Sequence, residues 1–379
     1  ILGVVTQPFW SAVDSFMIWL MLFYSIANMY RNITSQFLRA IGRVKLFTID
    51  NVIQTLSILI LNILLLVQFQ MGVSGYMLGY ILGNLISFVF GLVAGRLWKL
   101  FSVSQMSKKM LFEMLRFSIP LIPNTICWWI SSSTDRLMII AWIGTAANGL
   151  YSVAHKIPSV LSVVVNIFVQ AWQISANEEF GQKGSSEFYS EIFEVLSAFC
   201  FVGASFMILC SKIEIRLITN SEYYDAWPIM SALIMGMTFF SFAQFLGTIY
   251  TANKKTAMAF ITNLIAAVVN VVLNIFMIGR YGAVGAAIAT SISYFVLWIT
   301  RIITTDKIIH LKIKWLSVGF SSVLIVLMTI VQLMEIRGAL ILEIICFFAI
   351  IIFNYKTVLK IAKATVHLLG EKIKYGKKF

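Results

Sequence analysis

Apolar runs recur from one end of the chain to the other, and each is long enough to cross ~30 Å of hydrocarbon as a helix. They predict eleven spans, near 12–30, 47–68, 75–95, 116–143, 147–173, 192–211, 227–251, 256–278, 283–302, 315–334 and 338–355. No stretch between them is long enough for a separate soluble domain. The predicted fold class is an all-α polytopic membrane protein.

Several spans are not apolar all round. His155, Ser159, Ser162, Asn166, Gln170, Gln173 and Asn177 step by three or four residues, so they share one helical face. Ser25, Asn28, Asn32, Ser35 and Arg39 do the same in the first span, and Ser241, Gln244, Thr248 and Thr251 in the 227–251 span. A polar stripe in a membrane helix must face protein or water. One reading is hydrogen bonding between helices. The other is a water-filled cavity whose carboxamides and hydroxyls suit a ligand rich in hydroxyls.

Charge enters the same region. In "WWISSSTDRLMIIAWIG" (128–144), Asp135 and Arg136 stand side by side in an apolar setting. Asp135 lies nine residues before Gly144, and Lys156 nine residues after Ala147. At ~1.5 Å per residue, both fall ~13 Å deep, near the midplane. Ionisable groups at this depth are functional candidates by default. A packing role would pair Asp135 with Lys156 or Arg136. A functional role would turn the cations to a cavity, with Asp135 orienting them or accepting a proton. Glu343, in the last span, is predicted either to snorkel outward or to face the bundle.

An internal repeat sets the organisation. "IDNVIQTLSILILNI" (49–63) aligns with "ITNLIAAVVNVVLNI" (261–275) at an offset of 212, pairing Asn51 with Asn263 and Asn62 with Asn274. Further on, Gly75, Gly79 and Gly83 match Gly285, Ala289 and Ser293, a small-residue ridge suited to close helix packing. The spacing implies a unit of six spans, so both copies run the same way through the membrane. The expected domains are a partial first lobe (1–100, the last three helices of six), a second lobe (101–305), two extra spans (306–355) and a basic tail (356–379). The opening "ILGVVTQPFW" has neither an initiator Met nor a basic n-region, and reads as the end of a helix rather than a signal peptide. Three further spans are expected upstream, for fourteen in all.

Composition supports this picture. The 379 residues are 60% hydrophobic and only 12% charged, far from the soluble norm of roughly 25% charged. Of the 29 Lys and Arg, 23 lie in the loops and tail of one side, against Lys212, Arg216, Arg280 and Arg337 on the other. The basic side is therefore expected to be cytoplasmic, C-terminus included. The net charge of +13 signals topology and anionic headgroups rather than nucleic acid. Cys127, Cys200, Cys210 and Cys346 are spaced for neither metal nor disulfide. No nucleophile motif, metal cluster or Gly-rich phosphate loop is present, and no cofactor is expected.

The segment "FSIPLIPNTICWWISSSTDRLMIIAWIGTAANGLYSVAHKIPSVLSVVVNIFVQAWQISA" (117–176) resembles the Wzx-like polysaccharide flippases of the MOP superfamily. So do "TSQFLRAIGRVKLFTIDN" (34–51) and "ANKKTAMAFITNLIAAVVNVVLN" (252–274). The resemblance implies two six-helix lobes around a central cavity in the bacterial inner membrane. It implies alternating-access, ion-coupled transfer of undecaprenyl-diphosphate-linked oligosaccharide, with polysaccharide polymerase and chain-length machinery as partners. It implies cavity cations on Arg31, Arg39, Arg136 and Lys156 for the diphosphate, with Asp135 for ion coupling or orientation. His155, Ser159, Ser162, Asn166, Gln170, Gln173, Asn28, Asn32 and Gln244 would face the glycan. Two other readings compete. A MATE-type exporter of cationic drugs would want a net negative cavity. A membrane enzyme of polysaccharide assembly would want a catalytic pair near a membrane face.

Overall fold

The computed structural model describes residues 15–100, 107–336, 338–360 and 363. Most of the basic tail, and Arg337, lie outside the described residues. Seven helices among the described residues are long and apolar enough to cross a membrane. The chain is a multi-pass membrane protein.

It divides into two compact units, 1–108 and 109–379. The first holds α1 (Ser15–Ala40), α2 (Val44–Ile63, extended by a π-helical turn over Leu64–Gln68) and α3 (Gly72–Gly95). The small-residue ridge does what its spacing predicts. Gly75, Gly79 and Gly83 are buried, and added Cβ atoms at Gly79 and Gly83 would collide with Asn62 and Ile58 of α2. Close approach of α2 and α3 therefore depends on those missing side chains.

The second unit begins with α4 (Lys108–Ser118), an amphipathic helix with no buried residue, and α5 (Leu121–Trp142). Then come α6 (Thr145–Ala154), α7 (Lys156–Glu179), α8 (Ser185–Ile218) and α9 (Trp227–Ala252). α10 (Thr256–Asp306), α11 (Trp315–Leu333) and α12 (Ala339–Phe353) complete it. α9 is the central post. It is apolar almost all round, buried for most of its length, and packs on α7, α8 and α10. Its core partners include Tyr189, Phe193 and Phe201 of α8 and Trp298 of α10.

Several expected boundaries move. The 116–143 span is two helices, α4 and α5, which part at Ile119 and Pro120. The 147–173 span is interrupted at His155. Pro158 has no N–H to give the carbonyl of Ala154, so the helix loses a bond there. The 256–278 and 283–302 spans are two arms of α10, folded back at Gly282, whose φ of 61° is left-handed. Three residues on, a Cβ at Gly285 would run into the carbonyl of Met277. α1 runs to Ala40, so Arg31 and Arg39 lie in a helix rather than in an inner loop.

Candidate functional site

The second unit contains a cavity of about 670 Å³ walled by α5, α6, α7, α9 and the second arm of α10. This lies in the size range of small-molecule sites. His155, Ser159, Ser162 and Asn166 of α7 line one wall, as their shared face predicts, and Gln244 of α9 joins them. Facing residues of α5 are Trp128, Trp129, Ser133 and Arg136. Phe240 and Tyr294, with ring centroids 4.8 Å apart, supply apolar surface.

Asp135 and Arg136 part company. Consecutive residues on a helix point about 100° apart, and although both line the cavity, Asp135 is buried in its wall beside Tyr151 and Thr290 while Arg136 is exposed. Asp135 is 2% exposed and takes four hydrogen bonds from neutral groups. The Tyr151 hydroxyl donates to Oδ2 at 2.7 Å and the Thr290 hydroxyl at 2.5 Å. Asn274 and Asn270 donate their side-chain amides to Oδ1 at 2.6 Å and 3.2 Å. No ion pair among the described residues involves Asp135. The carboxylate is thus balanced by dipoles from α6 and both arms of α10. Its predicted pairing with Lys156 or Arg136 is not formed.

Lys156 opens α7 and is exposed, sharing a face with Val160, Val163 and Ile167, each more than half exposed. It lies about 100° round the helix from His155 and about 60° from Ser159, and it is not among the residues lining the cavity. The polar stripe splits in two. Its upper half lines the cavity. Its lower half ties α7 to α9: Gln173 donates to the Thr251 hydroxyl at 3.5 Å, and Trp172 beside it to Thr248 at 3.2 Å. Asn166 does both jobs, since it lines the cavity and accepts from Gln244. Gln170, between these halves, is exposed and does not line the cavity.

In the first unit, Arg31 is 8% exposed and committed to its own network. Its Nη2 donates to Oδ1 of Asn51 at 2.5 Å and its Nε to Ser87 at 3.3 Å, while Oδ2 of Asp50 lies 3.6 Å away. Ser87 in turn donates to Asp50 at 2.5 Å. A guanidinium so engaged is a packing element rather than an open anion site. Arg31 also donates to Asn32, which donates to Asn28 at 3.1 Å. Arg39, half-buried, sits 5.9 Å over the ring of Phe47. Glu343 is 4% exposed and faces the bundle, with Gln332 and Lys212 as neighbours. No group of His, Cys, Asp and Glu side chains suited to a metal ion occurs among the described residues.

Sequence reasoning passed over Tyr151, Asn270, Asn274 and Thr290, the partners of Asp135, and Asp50, the partner of Arg31. A signal was present. Asn270 and Asn274 are four apart in an apolar run, and Asn274 is the repeat partner of Asn62. Asp50 sits inside the repeat itself.

Residues 11–173 match the family model described as polysaccharide biosynthesis protein. A MATE protein in its bent conformation superposes with a TM-score of 0.68 at 14% identity, covering 80% of this chain and 69% of that one. The lipid II flippase MurJ, in an inward closed conformation, gives 0.58 at 15% identity, covering 90% and 73%. The chain shares the fold of these two proteins. By sequence, the match to the polysaccharide biosynthesis model covers less than half of the chain. An uncharacterized membrane protein of Methanocaldococcus jannaschii is 30% identical over 122 residues, 30% of this chain and 23% of that protein. A probable low-salt glycan biosynthesis flippase of Haloferax volcanii is 25% identical over 247 residues, 62% of this chain and 52% of that protein. The chain therefore spans about a quarter and about half of the lengths of these two relatives. The MATE and MurJ likenesses are likenesses of fold.

Proposed function

We propose that this protein is a flippase that moves a polyprenyl-diphosphate-linked oligosaccharide across the cytoplasmic membrane by alternating access. In a bacterium the carrier lipid would be undecaprenyl diphosphate, with the polysaccharide polymerase and its chain-length machinery acting downstream. The observation that carries the reading is the cavity in the second unit. Hydroxyls and carboxamides line one wall, and Arg136 lines the same cavity with no ion pair among the described residues. Carboxamides and hydroxyls exchange hydrogen bonds with sugar hydroxyls. A guanidinium holds phosphate oxygens in pairs. The match to polysaccharide biosynthesis proteins supports the same reading.

Asp135 is the ion-coupling element of this proposal. A buried carboxylate held only by neutral donors can exchange a proton or cation without breaking an ion pair, and its donors come from three helical segments. Occupancy there would bias how the arms of α10 pack on α5. The excess of Lys and Arg on one side supports a cytoplasmic C-terminus. A cationic-drug exporter fits less well, because Arg136 in the cavity repels cations.

The test is glycan export in a strain lacking the native gene. Wild-type protein restores surface polysaccharide. Arg136→Gln inserts at wild-type levels and lowers export at least tenfold. Full export by Arg136→Gln, or ethidium efflux by the wild type without glycan export, would overturn the reading.

A further inference from the structure

We propose that Trp128 and Trp129 form a stacking subsite for a pyranose ring inside the cavity of the second unit. The inference rests on the glycan reading and says which part of the glycan this cavity holds. Both indoles line the cavity with part of their surface exposed, 47% and 58%. An indole offers the cavity a large apolar face and a single N–H. Trp129, Ser133 and Arg136 step by four and three, so they present one face of α5. Across from them, His155, Ser159, Ser162 and Asn166 form the polar wall of α7. One side of the cavity is thus aromatic and the other hydrogen-bonding.

A pyranose has the matching character. Its axial C–H bonds make one apolar ring face, and its equatorial hydroxyls point outward around the rim. With the apolar face on an indole, the rim hydroxyls meet Ser159, Asn166 and Gln244. A flat, wholly apolar drug gives Asn166 and Gln244, already bonded to each other, no further hydrogen bond. A linear polyol has the hydroxyls but lacks the rigid apolar face. The arrangement therefore selects rings over chains and sugars over hydrocarbons, and does so without using Arg136, which stays available for an anionic group.

The test uses the full-length protein in lipid nanodiscs and saturation-transfer difference NMR, with cellobiose and chitobiose as probes and sorbitol as the open-chain control. Saturation is expected on the axial ring protons of both disaccharides and not on sorbitol. Trp128→Ala and Trp129→Ala should each weaken the disaccharide signal on the order of tenfold, whereas Trp129→Phe should keep it within about threefold. Should either alanine variant fold poorly, Trp128→Leu and Trp129→Leu preserve apolar bulk without the aromatic face, and the same loss is expected. Equal binding by wild type and the double leucine variant overturns the subsite, as does no ring-face saturation in the wild type. The export assay run in parallel separates the two ideas. Normal export alongside absent disaccharide binding removes the subsite and leaves the transport reading standing.

Discussion

The two copies of the internal repeat each bring a buried guanidinium to the same asparagine, and each takes it from a different helix. In the first unit Arg31 of α1 donates to Asn51. In the second, Arg301 in the second arm of α10 donates to Asn263 at 3.1 Å. The position that matches Arg31 is Ala243, and its carbonyl accepts a bond from Arg301 at 2.5 Å. The residue before each asparagine differs too. Asp50 places a carboxylate beside Arg31, whereas Thr262 offers Arg301 only a hydroxyl, at 3.3 Å. The repeat thus keeps a site for a guanidinium rather than a residue. What matters is that some helix within reach supplies five donors where two packed helices leave acceptors unmet. The charge balance differs as well. The first unit neutralises its buried cation locally, while the second holds Arg301 and Asp135 in separate networks of neutral partners.

That contrast is open to direct attack. Replacing Arg31 with Met leaves Asp50 buried without its cation, an arrangement that costs about 3–5 kcal/mol. A large drop in the melting temperature of detergent-solubilised protein is expected, with partial recovery in Arg31→Met/Asp50→Thr, which copies the second unit. Next comes Asp135→Ala, which strands four buried donors. Allowing for relaxation, the cost is about 3 kcal/mol, read in the same melting assay. Arg301→Met should cost less, about 1–2 kcal/mol, because only neutral acceptors lose a partner. A melting shift for Arg301→Met as large as that for Arg31→Met would remove the distinction between the units. Smallest of all are the exposed pairs that tie the segment after α10 to the start of α8. Lys312 lies 2.5 Å from Glu187 and Lys314 2.6 Å from Glu194, all partly or well exposed. Lys312→Ala should shift stability by less than about 1 kcal/mol, a shift that disappears in high salt.

Much of the fold was legible in the sequence for a simple reason. Hydrocarbon leaves backbone groups no partner but the helix, so apolar length alone predicts spans. Helical period predicts faces, and it correctly grouped His155, Ser159, Ser162 and Asn166 on one wall. The repeat aligned Asn51 with Asn263 and Asn62 with Asn274, and Asn51, Asn263 and Asn274 each make a buried or half-buried hydrogen bond. Breaks were harder to see. The missing N–H of Pro158 and the left-handed backbone at Gly282 act over single residues, so a hydropathy pattern averages them away.

What the sequence could not give was partnership. It put Asp135 and Lys156 at one depth, but depth along two helices does not fix rotation about their axes. Rotation is set by side-chain packing, here of the α7 core face with Leu161, Val165 and Val169, and it carries Lys156 off the cavity wall. It likewise turns Asp135 towards Tyr151, Asn270, Asn274 and Thr290, residues from 16 to 155 positions away. By itself, then, the sequence determined that the chain spans the membrane repeatedly, which stripes are polar and which positions repeat. Only the tertiary structure decided which charges are spent on packing and which face the cavity. Hydrophobicity is a property of each residue, whereas a hydrogen bond needs two groups that packing must bring within about 3 Å.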